Sequence, residues 1–226
     1  MNPIIYNFSH DWNLGDRVCS PHLYFDWLKD CTNADPTAWT PGPSIFGGGG
    51  ILHPGFDHIL ANAVRSGEKT ATWGIGLNYH GVQAQLYPKF LDECGMVGMR
   101  ERGNPWNFVP CPSCMASEFD SALEVKPTFE YVIYQHRDWQ IQGHYPRLTN
   151  EAESLGVVLK HIASGATVIT NTFHGAYWAK LLGRNVALNA PFSNRFLAID
   201  DWEWDLEAFR KINLDWSERL RDYFNS

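Results

Sequence analysis

Short apolar segments that end at glycine or asparagine alternate along this chain with segments of helical periodicity. The predicted strands cover residues 3–8, 44–46, 69–76, 95–99, 129–135, 166–170 and 185–189. The predicted helices cover residues 14–27, 56–65, 150–163, 176–182 and 204–224, with Asn150 as the N-cap of the third. Strands that alternate with helices build parallel sheets with helices on both faces, so the chain is predicted to be an α/β protein.

A change of pattern near the middle of the chain divides it into two halves. Residues 111–126 follow no regular periodicity and run into Pro127. We therefore predict an N-terminal half over residues 1–120 and a C-terminal half over residues 121–226 that ends in a long helix. Parallel sheets bind ligands at the carboxyl ends of their strands, so candidate functional residues are sought just after each predicted strand.

Charge and hydropathy exclude several classes of protein. The net charge is −7, from 25 acidic and 18 basic residues, and no basic stripe is visible that could neutralise nucleic-acid phosphates. No apolar run approaches the roughly 20 residues needed to span a bilayer, and residues 1–11 do not resemble a signal peptide. Five cysteines, an odd number, then favour reduced thiols in a cytoplasmic protein.

The segment 168–176 (VITNTFHGA) is the strongest candidate for a ligand site. An apolar strand ends there and a helix begins after a short polar turn, so free backbone N–H groups are available for a phosphate or carboxylate. Asn171 and Thr172 can donate hydrogen bonds, and Gly175 permits close approach of a ligand. His174 can bind an anion or exchange a proton near neutral pH. A capped helix with a histidine packed beneath a loop explains the same residues equally well.

Two turns in the first half also follow predicted strands. Four consecutive glycines form the first of them: Gly47, Gly48, Gly49 and Gly50. They match neither a Walker A loop nor a dinucleotide-binding fingerprint, and a tight structural turn is an equal alternative. The other turn contains Asn13, Gly15 and Asp16, where Asp16 can accept a proton from a hydroxyl or act as a helix N-cap.

Basic residues follow one strand in each half. Arg100 comes after the strand at 95–99 and can pair with a phosphate, or with Glu101 at the surface. His136 and Arg137 follow the strand at 129–135 and are predicted to face the cleft from the other side.

Two patterns give little support to a metal site. Cys111 and Cys114 form a single CxxC motif with no second pair at zinc-finger spacing. The acidic stretch 200–207 is typical of a solvated helix start.

Taken together, these motifs resemble the polysaccharide pyruvyl transferase family. The shared motifs, in order, are N-x-G-D at 13–16, the glycine-rich turn at 47–50, the arginine and acid at 100–101, the polar turn and helix start at 171–176, and Gly-x-x-Val at 183–186. Many members carry an arginine where this chain has Thr172, and the chain is short for the family. The resemblance covers residues from about 4 to 190.

The resemblance implies a GT-B-like fold, in which two Rossmann-like halves with mostly parallel sheets face a cleft. It implies transfer of a pyruvyl group from phosphoenolpyruvate to two hydroxyls of a sugar, with phosphate leaving and with no metal or other cofactor. His174 is then the acid or phosphate ligand, and Asp16 is the base. The donor-binding residues are predicted to be Arg100, Arg137, His136, Asn171, Thr172 and Gly175. Asn13 and Gly15 are predicted on the acceptor side.

Two alternatives remain beside this hypothesis. A GT-B glycosyltransferase would use the same features to hold the diphosphate of a nucleotide sugar. The third hypothesis is a non-catalytic glycan-binding relative. Aromatic residues, which can stack on sugars, make up 14% of the chain, and the tryptophans Trp202, Trp204 and Trp216 lie near its C-terminus. The expected partner is a sugar or a glycolipid precursor at the inner face of the membrane, and the oligomeric state is open. Whether Asp16 and His174 face one shared cleft is the feature that discriminates the catalytic hypotheses from the non-catalytic one.

Overall fold

The computed structural model describes residues 2–9, 12–82, 84–190, 193–199 and 203–226. Four parallel strands form a first sheet in the order β2-β1-β3-β4. These strands are β1 (Ile4–Tyr6), β2 (Asn33–Ala34), β3 (Ser44–Gly47) and β4 (Thr70–Trp73). Next to β4, strands β5 (Gly98–Met99) and β6 (Asn107–Phe108) form a separate parallel pair.

A second sheet of four parallel strands follows, in the order β10-β9-β7-β8. Its strands are β7 (Phe129–Gln135), β8 (Arg147–Thr149), β9 (Gly165–Thr170) and β10 (Asn185–Leu188). The prediction of a mixed α/β protein with mostly parallel sheets is confirmed. Strand β8 lies within a segment for which no strand was predicted.

Six α-helices occur in the described residues. They are α1 (Leu14–Arg17), α2 (Asp57–Arg65), α3 (Glu118–Leu123), α4 (Leu155–Ala163), α5 (Phe173–Leu181) and α6 (Leu206–Asn225). Short 3-10 helices cover Pro21–Leu23, Asp26–Leu28, Lys89–Glu93, Pro112–Met115 and Asn194–Ala198.

The first sheet is covered on both faces because its side chains alternate along each strand. Tyr6 and Phe46 pack in one core with residues of α2. Their neighbours Ile5 and Ile45 pack in another core with Trp216 of α6. The second sheet shares a third core with α3, α4 and α5.

Helix α6 joins these cores across the molecule. Its first turns place Leu206 and Phe209 in the core of the second sheet. Its later turns place Trp216 and Leu220 against the first sheet, where the Trp216 indole N–H donates to the Thr72 carbonyl at 3.3 Å. The helix therefore fixes the second sheet relative to the first by packing on both.

Three predictions of local structure are wrong beyond small shifts of a strand or helix end. The helix predicted over 14–27 is wrong, because α1 ends at Arg17 and Pro21 excludes helical geometry from Ser20, whose ψ is 131°. Residues 111–126 are not irregular, since a 3-10 helix and α3 lie there. Asn150 is not a helix cap, because Ser154 is the N-cap of α4 and accepts from the Val157 N–H.

Candidate functional site

A cavity with about 90 Å³ of space for water-sized groups lies at the carboxyl ends of strands from both four-stranded sheets. Its described lining residues are Phe8, Asn13, Asp16, Gly50, Phe56, Asn78, Arg100, Tyr134, His136, Asn150, Thr172, Phe173, His174 and Arg195. Most of them lie in segments that follow strands, which is where parallel sheets bind ligands. Asp16 and His174, which belong to separate sequence motifs, line the same cavity.

The turn before α1 orients the Asp16 carboxylate. Asn13 is the N-cap of this helix, and its Oδ1 accepts from the Gly15 N–H at 3.1 Å. The Asn13 side-chain N–H donates to Asp16 Oδ2 at 2.7 Å. Asn13 therefore caps the helix, and Asp16 is held toward the cavity instead of capping.

The turn between β9 and α5 is built by a threonine and a glycine. Thr172 is the N-cap of α5, and its Oγ1 accepts from the Gly175 N–H at 3.1 Å. A Cβ on Gly175 would lie 2.6 Å from Tyr134 Cδ1, which is too close for any larger residue. Gly175 thus permits tight packing against β7, while Thr172 lines the cavity from the helix start.

His174 packs tightly between elements of the two sheets. The residue is 7% exposed, its ring centre lies 5.2 Å from that of Trp178, and its Nε2 lies 3.6 Å from Cys111 Sγ. A Cβ on Gly15 would lie 2.6 Å from His174 Cγ, so the imidazole rests directly on the α1 backbone. His174 therefore supports the turn that holds Asp16.

The imidazole of His174 is neutral near pH 7. Burial lowers its pKa well below the ordinary value of 6.5, and the positive charges of Arg100 and Arg195 lower it further. Both interpretations of the motif apply in part, because the helix is capped and the histidine is packed, yet the ring also lines the cavity.

Replacing Gly15 with alanine should force the His174 ring and the α1 backbone apart. We expect Gly15→Ala to lower the free energy of unfolding by about 1–3 kcal/mol, as overpacking in a tight core does. Urea denaturation measures this loss. Gly156→Ala is the matched control, because a Cβ there would meet only Glu118 at 3.5 Å and the position lies in α4. A Gly15→Ala protein as stable as the control would contradict the close packing.

The neutral state of His174 predicts a loss of stability in acid. Below pH 6.5 the unfolded chain binds a proton at this histidine and the folded chain does not, so stability falls as pH decreases. One such group contributes up to about 1.4 kcal/mol per pH unit. Urea denaturation between pH 7 and 5 should show a shallower slope for His174→Gln. The control His144→Gln, at an exposed position, should keep the wild-type slope; equal slopes in both variants would refute this assignment.

Two arginines bring positive charge to the cavity. Arg100 is almost fully buried, its guanidinium lies 3.7 Å from the Phe173 ring centre, and its Nη2 donates to the Leu77 carbonyl at 3.3 Å. Burial lowers the pKa of Arg195 to about 10, and repulsion from Arg100 adds to this while Asp16 opposes it. Two guanidinium groups that repel each other are stabilised by an anion that binds both.

Contacts within the protein, and not the cavity, explain most of the glycines at 47–50. Gly48 and Gly49 have φ values of 72° and 79°, which side-chain-bearing residues rarely adopt. A Cβ on Gly48 would also overlap the Cys19 backbone. Among the four glycines, Gly50 alone lines the cavity, and a Cβ there would lie 2.8 Å from Asn78 Cβ.

Asn171 holds the turn after β7 in place. Its Oδ1 accepts from the His136 backbone N–H at 2.8 Å, and its Nδ2 donates to the Trp139 carbonyl at 2.7 Å. Arg137 pairs with Glu151 at 3.0 Å. Of these residues, His136 lines the cavity, whereas neither Asn171 nor Arg137 is among its described lining.

Cys111 and Cys114 of the CxxC motif are buried as free thiols. Burial raises the pKa of Cys114 to about 12 and also raises that of Cys111, so both are protonated at neutral pH. Within the described ranges, no group of three or more histidine, cysteine or acidic side chains is arranged to hold a metal ion.

The tryptophans near the C-terminus serve the core where they are described. Trp216 is 2% exposed, and the Trp204 ring lies 5.7 Å from that of Tyr177. Trp202 and the start of the acidic stretch, 200–201, lie outside the described residues. Further along that stretch, Asp205 is the N-cap of α6.

Several lining residues were not predicted from the sequence, and Arg195, Asn78 and Tyr134 are three of them. Arg195 lies in the 3-10 helix after β10 and carries no motif. Asn78 follows β4 at a distance, so the rule that ligand-binding residues follow strands could have found it. Tyr134 lies inside β7, where it is fully buried, and its hydroxyl has no hydrogen-bond partner among the described residues.

No protein-family model and no curated protein sequence matches this chain. The described part of the chain contains no helix that is both long and apolar enough to cross a membrane.

Proposed function

We propose that this chain is a pyruvyl transferase-like enzyme that moves the pyruvyl group of phosphoenolpyruvate onto two hydroxyls of a sugar. The observation that carries the proposal is the shared cavity of Asp16, His174, Arg100 and Arg195. A carboxylate beside the buried Arg100 and the half-buried Arg195 suits a reaction that joins an anionic donor to a neutral hydroxyl. The two sheets then correspond to two halves that face each other across this cavity, in a GT-B-like arrangement.

The donor binds through its negative groups. Phosphoenolpyruvate carries a phosphate and a carboxylate, and charge-assisted hydrogen bonds from Arg100 and Arg195 can neutralise both. Tyr134 supports this role because its buried hydroxyl is available to donate to a ligand. Thr172 and the start of α5 face the same space.

The transfer proceeds in two balanced steps. A sugar hydroxyl adds to C2 of the donor while Asp16 takes its proton, and the methylene carbon C3 gains a proton to become a methyl group. A second hydroxyl of the same sugar then displaces phosphate from C2 and gives its proton to Asp16, which passes that proton to the departing phosphate and is a carboxylate again. The products are a pyruvate ketal and inorganic phosphate.

The proton for C3 is best supplied by Asp16 itself, which has just gained one from the first hydroxyl. His174 is a poor source, because burial and the two arginines hold its pKa low and keep it neutral. Its contribution is to position the α1 turn through its contact with Gly15. One carboxyl group can therefore serve as base and acid in turn.

The acceptor sugar is proposed to bind at the mouth of the cavity. His136 lines the cavity, and its ring lies 5.2 Å from that of Trp12 and 5.7 Å from that of Trp139, which is 46% exposed. Aromatic rings held at fixed positions give large contact area at low entropic cost. The acceptor is a glycan or a glycolipid precursor, consistent with a cytoplasmic enzyme that works at the inner face of a membrane.

A glycosyltransferase that uses a nucleotide sugar is the second candidate. Thr172 favours it, since many pyruvyl transferases carry an arginine at that position. The enclosed space of about 90 Å³ favours the smaller donor, because a nucleotide sugar would have to extend far outside the cavity. A non-catalytic glycan-binding relative is the third candidate, and it would bind oligosaccharides without turning over either donor.

Phosphate release tests these candidates directly. The protein is incubated with phosphoenolpyruvate and a panel of oligosaccharides ending in galactose, glucose or mannose, and free phosphate is measured. The proposal expects release only when an acceptor is present. Thermal-shift measurements with phosphoenolpyruvate and with uridine and guanosine diphosphate sugars run in parallel, because a bound ligand raises the melting temperature. Stabilisation by the nucleotide sugars alone would reject the proposal in favour of the glycosyltransferase.

A further inference from the structure

Glu101 is a buried charged side chain that the proposed reaction leaves unused. Its side chain is 0% exposed and that of Arg100, the preceding residue, is 2% exposed. Glu101 Oε1 lies 3.5 Å from Arg100 Nε and accepts from the Leu77 N–H at 3.0 Å. Its Oε2 is buried and has no hydrogen-bond partner among the described residues. A carboxylate in this environment is costly unless a cation compensates its charge.

The pair holds both backbone polar groups of Leu77, the residue before the cavity-lining Asn78. Glu101 binds the Leu77 N–H, and Arg100 binds the Leu77 carbonyl at 3.3 Å. The chain passes so close that a Cβ on Gly76 would lie 2.7 Å from Arg100 Cζ and 2.5 Å from Glu101 Oε1. Asn78, which lines the cavity, follows directly. These contacts therefore set both the Arg100 guanidinium and the adjoining wall.

We propose that Glu101 is a positioning residue of the anion site, and that it takes up a proton when an anion binds Arg100. An incoming anion competes with Glu101 for the same guanidinium, so the carboxylate loses part of its compensation. A proton from solvent then neutralises Glu101, which remains a hydrogen-bond partner through its oxygens. The inference rests on the anion-binding part of the proposed function and not on pyruvyl transfer.

The local charges support this exchange. Burial raises the pKa of Glu101 to about 7, while Arg100 and the Leu77 N–H oppose the rise. The Tyr87 hydroxyl also faces this carboxylate, whose charge adds to burial in raising the Tyr87 pKa. Arg100 is thus the cation that compensates Glu101 among the described residues. Because its pKa is close to 7, Glu101 gains a proton at neutral pH when a bound anion also pairs with Arg100.

Proton uptake on sulfate binding tests the inference. Sulfate is the probe because it resembles phosphate and does not itself titrate between pH 6 and 8. Isothermal titration at pH 7 in two buffers of different ionisation enthalpy gives the number of protons taken up per sulfate bound. We expect a fraction of one proton for the wild-type protein and none for Glu101→Gln, which keeps the shape of the side chain. The matched control Glu124→Gln, at an exposed position outside the cavity lining, should keep the wild-type uptake.

The pH dependence of sulfate affinity gives a second readout. Because protonated Glu101 favours the bound state, the wild-type Kd should rise between pH 6 and 8 by up to tenfold per pH unit. Glu101→Gln should bind sulfate with a Kd that is constant across this range and close to the wild-type value at pH 6. A purely structural glutamate would leave both slopes equal.

The outcomes separate this inference from the proposed function. Sulfate binding without proton uptake in the wild-type protein overturns the role of Glu101, whatever the enzyme transfers, and this measurement needs no variant. Unchanged uptake in Glu101→Gln overturns it as well. Proton uptake in a protein that releases no phosphate from phosphoenolpyruvate would support Glu101 and reject pyruvyl transfer. Failure of both sulfate and inorganic phosphate to bind would overturn the anion site and the inference together.

Discussion

Asp16→Asn is expected to lower acceptor-dependent phosphate release by about 10²–10⁴-fold, the usual contribution of a general base. Asparagine has the size of aspartate and its carbonyl can accept the hydrogen bond from Asn13, which is 2.7 Å in the wild-type protein. The fold should therefore be kept while the ability to take a proton is lost. Initial rates of phosphate release at saturating phosphoenolpyruvate measure the effect.

Two comparisons make this result specific to Asp16. Asp92→Asn removes one negative charge from an exposed position in a 3-10 helix and should leave the rate unchanged. Sulfate should bind Asp16→Asn at least as tightly as the wild-type protein, because a negative charge near Arg195 has been removed. A rate within a few-fold of wild type would show that another group accepts the proton.

Arg100→Ala is expected to weaken the binding of phosphoenolpyruvate and of sulfate by about 100-fold. Hydrogen bonds between charged groups contribute about 1.5–3 kcal/mol each, and about 3 kcal/mol corresponds to a factor of roughly 100 in Kd. Isothermal titration measures both constants. Arg65→Ala removes an exposed arginine whose pairing with Glu93 is 3.7 Å long, and this control should leave both constants unchanged.

The same substitution has a second consequence for stability. Without Arg100 the buried Glu101 carboxylate loses its cation, so Arg100→Ala should be destabilised more at pH 8 than at pH 6, where Glu101 can be protonated. Arg100→Lys keeps a positive charge and should lose less stability and less affinity, although it cannot form the same pair of hydrogen bonds. Sulfate affinity within twofold of wild type in Arg100→Ala would refute the anion site.

Local patterns were sufficient to predict most strands and their parallel pairing. The apolar run at 129–135 is β7, and the strand predicted at 166–170 is β9 with one more residue at its start. Buried parallel strands are continuous apolar runs bounded by turn residues, so their signal lies in consecutive residues. Helix ends were harder to predict. Thr172 and Ser154 are the N-caps in the structure, but other polar residues near them in the sequence could have capped the same helices.

The candidate site likewise contains residues that their position after a strand identified and residues that it misplaced. Asp16, Arg100 and Thr172 stand close to recognisable strand ends, and all three line the cavity. Arg137 and Asn171 also follow strands, yet their side chains are occupied by Glu151 and by the turn at 136–139. The direction of a side chain after a strand depends on the partners available in space, which sequence spacing does not contain.

The sequence by itself determined that this chain is an α/β protein with mostly parallel sheets, because strand and helix periodicities are properties of neighbouring residues. It also marked the strand ends where polar residues gather. The tertiary structure alone decided that Arg195 joins Arg100, that His174 is buried on Gly15 and neutral, and that Glu101 faces Arg100 without solvent. Burial and charge pairing depend on segments far apart in the chain, and they set protonation and affinity through desolvation and distance.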